Sequence, residues 1–128
     1  MKIKVTEAFT NTPGGRFLTD GLYSGEEFRL KILAPAYSKC IENNEKFILD
    51  MDGSYGYPIG FLEESFGGLI RMGYSMEDLL NRLEIVSNED KKLESRIKVL
   101  ILEATKEHLK LLLEEGKKLW EILKKNKN

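Results

Sequence analysis

"FILDMDGSYGYPIGFLEESFGGLIRMG", residues 47–73, runs from a strand pattern into a helix pattern, and its reading decides the fold. Lys46 to Met51 is a short, mostly apolar run rich in strand formers, closed by the Asp52-Gly53 turn pair. Such a run suits a buried strand, and the helix expected before it makes that strand parallel to a neighbour. Pro58 suits a helix's first turn, where its missing N–H would have no partner in any case. Phe61, Leu62, Phe66, Leu69 and Ile70 then repeat at helical spacing as far as Gly73. Gly67 and Gly68 cost that helix about 2 kcal/mol of propensity relative to alanine. They therefore mark a close backbone approach, either inside the domain or against a partner.

Toward the N-terminus, Ile3, Val5 and Phe9 alternate with polar residues and predict a half-buried strand. Pro13, Gly14 and Gly15 break it, and Arg16 to Leu22 predict a second short strand. Ser24 is a candidate N-cap with Glu26 and Glu27 in the first turn, so residues 25–43 read as one amphipathic helix. Pro35 lies within it and should kink it. Toward the C-terminus, Ser75 and Asp78 have capping-box spacing and open a short helix through Leu83. Residues 84–87, "EIVS", predict the last strand. From Asn88 onward only Gly116 interrupts a helical pattern. Alternating strands and helices define an α/β domain with a small mixed sheet packed by helices and a long terminal helix.

The chain has 128 residues, one cysteine, one histidine and a net charge of −1. A chain of this length buries enough surface to need no disulfide or metal staple. Cys40 cannot form a bridge within one chain, and with no signal-peptide pattern or membrane-length apolar run the expectation is a cytoplasmic protein. One Cys and one His do not make the usual zinc ligand sets. His108 sits among leucines on a helix, and no glycine-rich loop precedes a lysine at nucleotide-binding spacing. Glu63 and Glu64 are helix neighbours about 100° apart and are not expected to face one another. The balanced charge gives no global reason for nucleic-acid binding, and the basic tail (Lys117, Lys118, Lys124, Lys125, Lys127) suits a helix C-terminus. No metal or cofactor is expected.

"FILDMDGS" resembles the first motif of haloacid-dehalogenase-type phosphatases. That resemblance implies a nucleophile at Asp50, an acid/base at Asp52 and Mg²⁺ between them. The remaining chain lacks the partners of such a site. Only one convincing strand follows Asp52, and the later acids lie in the first turn or body of a long helix. The alternative is that both aspartates shape the strand's exit turn.

Three blocks together carry a second resemblance: "TPGGRFLTDGLYSGEEFR" (12–29), "ILDMDGSYGYPIGFLEESFGGLIRMGYS" (48–75) and "LLNRLEIVSNED" (79–90). From about Ile3 to about Ala104 the chain resembles the STAS-like domain family of unknown function. This bacterial and archaeal group is related to anti-sigma factor antagonists. The resemblance implies a non-enzymatic, regulatory protein-interaction module whose partner is a GHKL-type ATP-binding protein or another signalling protein. It places the partner face on Ser54, Tyr55, Tyr57, Gly60, Glu63, Glu64, Gly67 and Gly68. The family commonly has a serine immediately before the Phe-Leu-Glu-Glu block, where this chain has Gly60. Ser54 is then the nearest candidate phosphoacceptor.

The expected organisation is a STAS-like domain over residues 1–104 and a helical extension over 105–128. Leu109, Leu112, Gly116, Leu119 and Leu123 continue an apolar stripe at spacings of three and four, widened by Leu113 and Trp120. Leu109, Leu112, Leu119, Trp120 and Leu123 are the candidate oligomerisation residues. A structural, self-assembling role through this helix is the remaining alternative to the regulatory one.

Overall fold

The computed structural model of the chain describes residues 1–126. Three short strands, β1 (Lys2–Lys4), β2 (Phe47–Asp50) and β3 (Leu83–Val86), form a sheet in the order β1-β2-β3. Both pairings are parallel, with Ile3 opposite Leu49 and Leu49 opposite Ile85. The expected α/β, STAS-like architecture stands, but the sheet is parallel throughout rather than mixed. The reason is the connections: each pair of strands is joined through helices, and a helical crossover returns the chain in the same direction.

The helices are α1 (Val5–Ala8), α2 (residues 25–42), α3 (residues 59–71), α4 (Met76–Arg82) and α5 (Leu93–Lys125). Phe47 and Leu49 on β2 are fully buried while Ile48 and Asp50 are partly exposed, the two-residue alternation of a strand with one covered face. Around them lie Phe28, Leu33 and Tyr37 of α2, Phe61, Phe66 and Leu69 of α3, and Ile97 and Ile101 of α5.

Two sequence expectations give way to packing. The N-terminal strand stops at Lys4, and Val5–Ala8 turns into a helix whose Val5 carbonyl accepts from the Phe9 and Thr10 amides. That turn carries Phe9 onto Phe28 and Phe61, with ring centroids 5.2 and 6.4 Å away, so an aromatic contact overrides the alternating pattern. Residues 16–22 form no strand. They make a compact loop with a 3₁₀ turn at Leu18–Asp20, closed by the Phe17 amide donating to Asp20 at 2.8 Å. Its ends are pinned where Gly14 donates to the Tyr23 carbonyl and Gly25 to that of Gly15.

Both long helices before β3 contain a wider turn. In α2 it spans Arg29–Leu33, directly before Ala34 and Pro35. Proline has no N–H and crowds the carbonyl one turn back, and a five-residue turn accommodates it without ending the helix. In α3 the wide turn spans Glu63–Gly67. The Ser75 hydroxyl caps α4 by accepting from the Asp78 amide.

α5 runs unbroken through Gly116 for 33 residues, about 50 Å. Its buried residues, Leu93, Ile97, Leu100, Ile101 and Ala104, all lie in its first half. Beyond Ala104 most of the described residues are exposed, so the helix does not fold back at Gly116. No described helix is long and apolar enough to cross a membrane.

Candidate functional site

The strand end that resembles a phosphatase motif is a knot of hydrogen bonds. Asp52 accepts the Asn88 amide at 3.1 Å and side-chain nitrogen at 3.0 Å, and the Glu89 amide at 3.0 Å. These backbone donors, Glu89 first and then Asn88, hold the Asp52 carboxyl below the usual carboxylate range. Asp50 accepts the Asp52 amide at 3.0 Å, and Gly53, at φ 89°, donates to Glu89 at 2.9 Å. Asp50 thus closes the β2 exit turn, Asp52 ties that turn to the loop after β3, and both Asp52 oxygens are occupied. Among the described residues no three His, Cys, Asp or Glu side chains group as metal ligands.

From this knot the chain runs to the head of α3. Ser54 is half-buried, its hydroxyl donating to the Gly56 carbonyl at 3.0 Å and accepting the Gly56 amide at 3.1 Å. Tyr55 stands out at 86% exposure while its amide donates to the Asn11 carbonyl. Tyr57 turns inward, its hydroxyl donating to the Met51 carbonyl at 2.9 Å, and burial pushes that phenol up to about 12. Thr12, Pro13 and residues 55–58 line a shallow open cleft of about 410 Å³. The head of α3 and the N-terminal loop therefore form one surface, and its most exposed apolar side chains are Leu22 (80%), Tyr55 and Ile59 (58%). Sequence reasoning missed Leu22 and Ile59 because it assigned them to a strand and a helix start, and no spacing rule separates buried from exposed positions in so short a segment.

Gly60 lies in the same surface. A Cβ there would sit 3.6 Å from Arg16 Cβ, Nε and Nη2, so the arginine covers the place where a residue-60 side chain would point. Arg16 opens a charged cluster that the sequence did not announce. It meets Glu63 at 2.6 Å, and Arg71 meets Glu63 at 2.9 Å and Glu64 at 3.2 Å. Buried Arg29 meets Glu64 at 2.9 Å and also donates to the Glu64 carbonyl. Glu63 and Glu64 thus converge on Arg71 despite their expected divergence, because long side chains on a widened turn reach a common partner. Burial raises the Glu63 carboxyl, but Arg71 and then Arg16 outweigh it and hold it below the usual range.

Glu64, Gly67 and Gly68, expected on a partner face, are buried inside the fold. A Cβ at Gly68 would lie 2.6 Å from Arg29 Cζ, and one at Gly67 would lie 3.2 Å from the Ala104 Cβ of α5. The paired glycines admit an arginine on one side and a helix on the other. Arg29 and Glu64 also join the two wide turns, since Arg29 lies in one and Glu64 in the other. The available signal was a charge at position 29 on the buried side of α2, since a charge there needs a partner.

The chain belongs to the family described as "STAS-like domain of unknown function (DUF4325)", whose model matches residues 24–100. The matched span takes in the strand-exit knot, the whole of α3 and the Arg29–Glu64 pair. No curated protein and no solved structure matches the chain.

Proposed function

We propose that this chain is a non-enzymatic regulatory module that docks a protein partner through the head of α3 and the adjoining N-terminal loop. The carrying observation is the exposed apolar surface of Tyr55 and Ile59 at the cleft that residues 55–58 form with Thr12 and Pro13. Exposed aromatic and aliphatic anchors around a concave patch are typical of interaction hot spots. Ser54, Tyr57, Gly60 and Glu63 frame this face, while Glu64, Gly67 and Gly68 hold its shape from beneath. The partner class, taken from the family likeness, is a GHKL-type ATP-binding protein, and the setting is a bacterial or archaeal cytoplasm. Any regulatory phosphate goes to Ser54, since Gly60 offers no hydroxyl.

The experiment is calorimetric titration with an ATP-binding protein encoded beside this gene. Tyr55→Asp with Ile59→Asp should weaken binding by at least about 30-fold, the scale of one hot-spot residue. Affinity unchanged by the double substitution contradicts the assigned face. Mass spectrometry of protein from its own cells tests the phosphate. Phosphate confined to Ser24 or Ser38 contradicts the switch.

A further inference from the structure

The second half of α5 carries apolar residues that the domain does not cover. Leu109, Leu112, Leu113, Leu119 and Leu123 are 49–67% exposed and lie along one side of a continuous helix. An apolar stripe of this extent exceeds what an isolated soluble helix needs. Around the rest of the helix, Glu107, Glu114 and Glu121 recur every seven residues, and Lys110, Lys117 and Lys124, flanking the stripe, do the same three positions later. The pair Glu121–Lys124 is formed at 3.6 Å. A strict seven-residue repeat drifts around a straight helix and holds one face only when two helices wind together. The partner of this stripe is therefore another helix, running alongside.

Charge identifies whose helix it is. Residues 1–104 hold 13 Lys and Arg against 17 Asp and Glu, a net of −4, while residues 105–128 hold 7 against 4, a net of +3. Two copies lying parallel would set the lysine-rich ends, with Lys117, Lys118, Lys124 and Lys125, side by side and crowd both acidic bodies together. Lying antiparallel, each basic end comes alongside the other copy's α5 where it leaves the body, at exposed Glu103 and Glu107. A two-fold arrangement also covers both stripes at once and closes the assembly.

We propose that residues 105–125 of α5 pair antiparallel with the same segment of a second copy, forming a two-chain module with a STAS-like body at each end. The pairing uses none of the residues assigned to the partner at the head of α3.

Light scattering on the full chain should give twice the 14.7 kDa chain mass at tens of micromolar. Leu112→Glu with Leu119→Glu should return it to the single-chain mass with unchanged helix content, since both side chains are exposed in one copy. Direction is read by pulsed electron resonance on Lys125→Cys carrying a nitroxide, with buried Cys40 left in place. Antiparallel pairing centred near residue 114 puts the labels about 30 Å apart, whereas parallel pairing puts them about 10 Å apart. A single-chain mass for the native sequence, assembly beyond two copies, association that survives the double substitution, or the short distance would each overturn the proposal.

Discussion

Two glycines in helices have opposite consequences because of what stands beside them. Gly68 leaves room for the buried Arg29 guanidinium, whereas a Cβ at Gly116 meets nothing within 4 Å. Gly68→Ala should therefore destabilise the domain by about 3 kcal/mol, combining overpacking with a displaced buried ion pair. Gly116→Ala should stabilise its helix by about 1 kcal/mol, the ordinary propensity gain. Chemical denaturation of both variants checks the contrast, and equal effects would remove the packing role given to Gly68. Glu63 sets a pH dependence at the same cluster. Its folded carboxyl lies below the usual range, so its contribution is present above the unfolded value, near 4.3. It fades as pH falls through the lower folded value. Glu63→Gln should flatten the acid limb of stability below about pH 5, and an acid limb identical to the native one would contradict the cluster's role.

The elements divide by what fixed them. β2, α4 and the long α5 were legible because their signals are local: an apolar run, a serine cap with an acid three residues on, and a stretch without breakers. Removing the cap with Ser75→Ala should cost about 1 kcal/mol, read as a lower thermal midpoint. The N-terminal segment was misread because Val5 and Phe9 satisfy strand alternation, yet Phe9 is claimed by Phe28 and Phe61 from distant helices. Pro35 signalled a disturbance in α2 without saying that a wide turn at Arg29–Leu33 would absorb it. The second wide turn, at Glu63–Gly67, has only its glycines as a local mark. It is coupled to the first through the Arg29–Glu64 pair, a contact between residues 35 positions apart. The aspartates of the strand exit were visible as a motif, but Asn88 and Glu89, which occupy Asp52, were not. Long-range polar contacts leave no periodicity behind.

At the scale of the whole molecule, burial on α5 ends at Ala104, and the body's core is complete without the projecting half. A chain ending at Lys106 should therefore unfold cooperatively with native-like aromatic signals while losing self-association. A truncated chain that is unfolded would mean the projecting helix supports the body. The body's proposed task rests on the β2 exit, where Asp50 closes the turn and Asp52 joins it to the loop after β3, and on the exposed face that α3 presents. Mg²⁺-dependent hydrolysis of an aryl phosphate by the native chain and by Asp50→Asn separates binding from catalysis. A binding module gives no turnover above background in either protein. Turnover by the native chain that disappears in Asp50→Asn would contradict that reading.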